Sequence, residues 1–251
     1  MKITSLAACL SCLLLTACMA TGIVKSKLDV IEDAASCKAP ASILIVLLPG
    51  AYDKPDDFVQ QGFVAALRQR KIAADIVIAD THIGYYTSEH LVTRLHEDIV
   101  VPARNKGYEK IWMVGISLGG YGSLLYAREH GADIDGLFLM APFLGNRSLL
   151  AEIARAGLSG WQAGDIPKAD YDRLLWSWIK GYSDTAISTQ ADWPPLYIGY
   201  GTEDRFAGSS RIIEKVLPPG RVTTTDGGHE WLPWQHLWAG FLDRPLLPRC
   251  E

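Results

Sequence analysis

Runs of like charge are missing from this sequence, and their absence removes one class of function at the outset. The 24 Lys and Arg side chains are scattered among 28 Asp and Glu, for a formal net charge of -4. No basic stripe is available to follow a phosphate backbone, so nucleic-acid binding is set aside. A long uninterrupted apolar run is also lacking. Residues 3–15 are largely apolar, but the run is too short before its breaker for a membrane span. Cysteine is scarce, with five among 251 residues, and three of those fall within the first 18. Neither of the other two, Cys37 and Cys250, has a glycine elbow or a histidine beside it in sequence, so neither reads as a nucleophile. What remains is ordinary: 49% apolar and 21% charged residues suit one sizeable folded domain.

The N-terminus has the form of a secretory signal. Met1-Lys2 is a positive start, the apolar run follows, and Leu15-Thr16-Ala17-Cys18 closes it. This ending resembles the lipobox of bacterial lipoproteins, which implies lipidation of Cys18 and removal of residues 1–17. Met19 after the cysteine, rather than aspartate, implies by the same resemblance the periplasmic face of the outer membrane. The competing reading is cleavage after Ala20 and release. Residues 18–40 then form a tether and entry segment, and residues 41–251 the folded domain. In an oxidising compartment Cys37 and Cys250, one near each end of that domain, either pair or remain two free thiols.

The most informative stretch is residues 110–130. Ile111 to Val114 is a short apolar run of strand length, and Tyr121 to Ala127 suits a helix. Between them lies Gly115-Ile116-Ser117-Leu118-Gly119, with Gly120 and Gly122 beyond. A serine in a tight strand-to-helix turn projects clear of the backbone, and its neighbours must be small because the two elements nearly collide. Other glycine-rich readings fail. No lysine follows for a phosphate-binding loop, and a dinucleotide pattern would need glycine in place of Ser117.

This segment resembles the nucleophile elbow of the α/β-hydrolase family. The resemblance extends over roughly residues 41–242 and implies a mostly parallel sheet with helices on both faces and a small helical cap. The apolar run 41–48 ends in Pro49-Gly50-Ala51-Tyr52, the loop that in this family supplies one oxyanion N–H. Ala51 is the nominee, with Tyr52 and Gly50 as alternatives because proline stands where many members have histidine. Leu118, the residue after the serine, would supply the second N–H.

Further along, residues 56–71 have the period of one amphipathic helix, 74–79 read as a strand, and 88–105 as a helix capped by Ser88. His82 falls at the rim of the sheet and reads as a loop histidine. His90 and His96 are six apart on poorly matched helix faces, so neither reads as a metal ligand. Residues 134–140 form another strand. The strand–helix rhythm then breaks over residues 145–192, where the resemblance places a cap. Its Trp161, Trp176, Trp178 and Tyr182 either line the site or form a satellite core. The rhythm resumes with strands at 195–200 and 221–225 and helices at 209–216 and 233–241.

Serine needs a histidine to take its proton and a carboxylate to orient that histidine. The family order serine, acid, histidine is met by Ser117, Asp204 in the turn Gly201-Thr202-Glu203-Asp204, and His229 after Gly227-Gly228. Glu203, Asp192 and Asp226 are the rival carboxylates. His229-Glu230 cannot begin a zinc-binding H-E-x-x-H helix, because residue 233 is proline. The expectation is therefore a cofactor-free serine hydrolase acting on a small or medium carboxylic ester through an acyl-enzyme. Peptide, amide or thioester substrates on the same three residues, or a non-catalytic binding protein, are the alternatives.

Overall fold

A computed structural model describes residues 22–251, so Cys18 and the whole signal segment lie outside the described residues. Seven strands form one sheet: β1 (Val30–Asp33), β2 (Ile43–Leu48), β3 (Ala74–Ala79), β4 (Lys110–Ile116), β5 (Gly136–Met140), β6 (Leu196–Gly201) and β7 (Val222–Thr225). Their order is β1-β3-β2-β4-β5-β6-β7, and every pairing except the antiparallel β1–β3 is parallel. A parallel sheet needs both faces covered, which is why the inner strands read as unbroken aliphatic runs. All six residues of β2 are buried.

Alternation along each strand divides those residues between two cores. On one face Leu44, Val46, Ile111 and Met113 pack with Leu91, Leu95, Leu124 and Tyr126. Those partners lie on α4 (Leu91–Leu95) and α6 (Leu118–His130), which follow α1 (Pro55–Gln60), α2 (Phe63–Gln69) and α3 (Ile83–Thr87); α5 (Val101–Asn105) comes between α4 and α6. On the other face Ile45, Leu47, Trp112 and Val114 pack with Phe58, Phe63, Leu67, Trp234 and Trp238, the last two from α11 (Trp231–Leu242). Further helices complete the wrapping: α7 (Arg147–Ala156), α8 (Tyr171–Ile179), α9 (Thr185–Ser188) and α10 (Ala207–Glu214). Among the described residues, no helix is long and apolar enough to cross a membrane.

Several local expectations are corrected. The helix expected over residues 56–71 is two helices, broken where Gly62 adopts φ 78°. Ser88 ends α3 and does not start the next helix; His90 occupies that position, and a π-helical turn over His96–Val100 joins α4 to α5. The entry segment contains β1, whose four residues are too few for alternation to show in the sequence.

The insertion over residues 145–192 is helical, but its role differs from expectation. Trp161, Trp176 and Tyr182 are buried in the same core as α6. Their polar atoms are tied within or beside the insertion: Trp176 Nε1 donates to Leu144 O at 2.8 Å, Trp161 Nε1 to Glu152 at 2.8 Å, and Tyr182 Oη to Pro194 O at 2.7 Å. Trp178 is partly buried and stacks on Trp193. These aromatics pack into that core and do not line the space beside Ser117.

Cys37 and Cys250 are joined in a disulfide, with Cα atoms 5.1 Å apart. It fastens the entry segment to the C-terminal tail, which is itself held by Cys250 N–H to Lys71 O (2.6 Å) and Ala73 N–H to Pro248 O (2.8 Å). The bond spans 213 positions, and closing so long a loop restricts the unfolded chain strongly. Cys37→Ser is therefore expected to lower stability by about 2–5 kcal/mol. Denaturant unfolding of the oxidised wild type and the variant would measure this; superimposable curves would show the bond to be without thermodynamic effect.

Candidate functional site

The turn between β4 and α6 is compressed from both sides. Ser117 sits there with φ 52° and ψ -113°, a left-handed backbone that L residues seldom adopt. Its N–H donates to Met140 O (2.9 Å), and its carbonyl accepts from Phe143 N–H (3.0 Å), so the ends of β4 and β5 hold the turn jointly. A Cβ on Gly115 would strike the carbonyl of Gly119, and one on Gly119 would strike those of Leu48 and Pro49. The spacing of these glycines is thus a packing requirement of the crossing between α6, β4 and β2.

The carboxyl ends of β6 and β7 bring two more side chains to the same edge. Their following loops are stitched together, with Thr202 N–H to Thr225 O at 2.8 Å and Glu203 N–H to Gly227 O at 3.1 Å. Asp204 has a fully buried side chain. One of its oxygens accepts from Phe206 N–H (2.7 Å), and the other lies 2.8 Å from His229 Nδ1. His229 Nε2 is 2.9 Å from Ser117 Oγ. The imidazole is gripped edge-to-face by Phe206 and Trp234, at centroid distances of 4.8 and 5.0 Å. Ser117, Asp204 and His229 are thereby brought into one hydrogen-bonded chain. The rival carboxylates Glu203, Asp192 and Asp226 are exposed and make no bond to His229. Such a chain can move a proton from hydroxyl to imidazole while a buried carboxylate stabilises the imidazolium.

A cavity of about 510 Å³ opens beside Ser117. Ala51 and Leu118 both line it, as do Gly50 and Tyr52. Leu118 is the first residue of α6, where helix N–H groups have no intrahelical acceptor. Gly50 to Asp53 form a tight turn closed by Asp53 N–H to Gly50 O (3.2 Å), which presents the Ala51 peptide at the rim. Sequence reasoning missed most of the remaining wall: Asp53, Phe206, Glu230, Trp231 and Trp234. Burial pushes the Asp53 carboxyl above its ordinary value; nearby Asp57 adds to the shift, and the Gly50 N–H and His229 oppose it. No residue of the 145–192 insertion lines this cavity, so the insertion does not roof it.

The other histidines lie elsewhere. His82 starts α3, its Nδ1 accepting from Gly84 N–H at 3.1 Å, and it lines a neighbouring cavity of about 680 Å³. His90 Nδ1 is 2.6 Å from Ser88 O. His96 stacks on His130 at the far end of α6.

Comparison with known proteins agrees with this architecture. No family model matches the chain, and no curated protein matches it in sequence. Solved structures do. Est1E from Butyrivibrio proteoclasticus is similar with a TM-score of 0.59 and 19% identity, over 86% of this chain and 93% of that one. A ferulic acid esterase matches with a TM-score of 0.54 and 16% identity, over 86% and 96%. The fluorophosphonate-binding serine hydrolase FphF of Staphylococcus aureus matches at 0.53 and 13%, over 86% and 97%. The chain therefore has the α/β-hydrolase fold.

Gly119→Ala is expected to destabilise the protein by about 3 kcal/mol or more, because the added methyl meets rigid backbone. Gly240→Ala, which meets nothing within 4 Å on α11, is expected to be stabilising by roughly 0.5–1 kcal/mol. Chemical denaturation of the pair checks this; equal effects would mean that the elbow crossing is not tightly packed.

Proposed function

We propose that this protein is a serine hydrolase that cleaves small or medium carboxylic esters through an acyl-enzyme on Ser117. The observation that carries the reading is the unbroken chain from Ser117 Oγ through His229 to Asp204, with contacts of 2.9 and 2.8 Å. His229 Nε2 takes the hydroxyl proton as Ser117 Oγ attacks the ester carbonyl. Asp204 keeps the proton on Nδ1 and stabilises the imidazolium. The N–H groups of Leu118 and Ala51 receive the developing oxyanion. His229 then protonates the departing alkoxide, takes a proton from water, and the resulting attack frees the acid.

Substrate size now rests on the cavity itself, since the insertion supplies no roof. A volume of about 510 Å³ is within the usual range for small-molecule sites. Its walls include Phe143, Phe206, Trp231 and Trp234, which favour an apolar or aromatic acyl group. Esterases among the structural neighbours support ester chemistry over amide chemistry.

A fluorophosphonate probe is expected to label wild type and not Ser117→Ala. The variant should keep ligand binding while losing several orders of magnitude in kcat on short p-nitrophenyl esters. Absence of labelling while a control hydrolase reacts would favour a binding protein, and faster turnover of amide or thioester analogues would replace the ester assignment.

Lipidation at Cys18 completes the proposal, holding the domain at the envelope membrane where acyl substrates are met. Mass spectrometry of the mature N-terminus is expected to find a lipidated cysteine; a free Thr21 would establish release after Ala20 instead.

A further inference from the structure

The turn that carries Ala51 is a partition with open space on both sides. Ala51, Tyr52 and Asp53 line the cavity of about 510 Å³ beside Ser117 and also the neighbouring one of about 680 Å³. Tyr52, at the tip, is 83% exposed. Core packing gives such a tip little support, so what holds it must come from the loop itself. The flanks are rigid. Before the turn, Leu48 and Pro49 lie against the bare Cα of Gly119. After it, Lys54 N–H donates to Asp57 Oδ2 at 2.7 Å at the start of α1, and Phe58 anchors α1 in the core.

Asp53 joins the two flanks. Its N–H donates to Gly50 O at 3.2 Å, and its side chain folds back over the same residue. Oδ2 stands where a Cβ on Gly50 would have to go, and that Cβ would also lie 3.6 Å from the Ser117 Cβ. Gly50 is thus held between the Asp53 carboxylate and the nucleophile, and only a bare Cα fits there. The carboxylate faces the Gly50 N–H too, whose pull opposes the rise that burial and Asp57 give its pKa. One side chain and its own backbone therefore engage both polar groups of Gly50 and close the turn on itself.

We propose that Asp53 is a positioning residue for the oxyanion turn: seated on Gly50 and backed by α1, its carboxylate holds the Ala51 peptide in the orientation that the developing oxyanion requires. The inference rests on the ester-hydrolase reading above and adds the part that keeps one of its two donors in place. Nothing in this role needs the negative charge. An oxygen acceptor of similar reach suffices, and asparagine supplies one. Alanine leaves the Gly50 N–H without that acceptor and the tip free to turn. A donor that wanders stabilises the oxyanion less, and because the oxyanion develops only during reaction the loss falls on kcat and not on ground-state binding.

Steady-state kinetics on short p-nitrophenyl esters, together with the rate of fluorophosphonate labelling of the full chain, test this. Asp53→Ala is expected to lower kcat by roughly 10- to 100-fold, less than removal of a whole donor, with KM within about threefold and labelling slowed in parallel. Asp53→Asn is expected to recover most of that loss. Gly50→Ala gives a second, independent route, since its methyl must push the carboxylate aside without altering residue 53. It is expected to reproduce the Asp53→Ala loss, and the double variant to be no slower than either single one. An unchanged kcat in folded Asp53→Ala would overturn the role. So would an Asp53→Asn variant no faster than Asp53→Ala, or losses that multiply in the double variant. A wild type that neither labels nor turns over would instead remove the hydrolase reading, and this inference with it.

Discussion

The structure depends on one strained residue. Ser117 is held at a positive φ that no ordinary strand-to-helix connection requires, and it persists because neighbours on three strands over-determine it. Met140 at the end of β5 and Phe143 in the loop beyond it bond its backbone, while the bare Cα atoms of Gly115 and Gly119 let α6 close against β4 and β2. Strain of this kind costs on the order of 1–3 kcal/mol and survives only where surrounding packing outweighs it. Both faces of the sheet supply that packing, and all of β4 beyond Lys110 is buried.

Parallel topology converts this local strain into a site. Because β4, β6 and β7 run in one direction, their following loops emerge at the same edge, and residues 87 and 25 positions apart in sequence meet there. The loops after β6 and β7 are bonded to each other as well as to the sheet, so Asp204 and His229 sit on one hydrogen-bonded scaffold. Phe206 and Trp234 both pack edge-to-face against the imidazole. A side chain so confined loses little further entropy when a substrate arrives, which is the condition for preorganised proton transfer.

What the sequence made legible follows from where its constraints are local. The elbow glycines, the turn before Asp204 and the Gly227-Gly228 pair before His229 each record a backbone requirement, and these were readable without any contact information. The insertion's aromatics were not. A tryptophan that lines a cavity and one that fills a core have the same hydrophobicity, and only packing against α6 decides between them. The helix break at Gly62 lay inside an otherwise consistent apolar period, and tertiary placement of α2 against α11 overrode it. Asp53, Glu230 and Trp231 became visible as cavity walls only once the loops were placed.

In the proposed mechanism the strained elbow aims Ser117 Oγ and two backbone N–H groups at one point. A crystal structure of the fluorophosphonate-treated protein tests it most directly. Phosphorus is expected to be bonded to Ser117 Oγ, with the phosphonyl oxygen accepting from the N–H groups of Leu118 and Ala51 at about 2.7–3.1 Å. An adduct on another residue, or a phosphonyl oxygen turned away from both N–H groups, would contradict it.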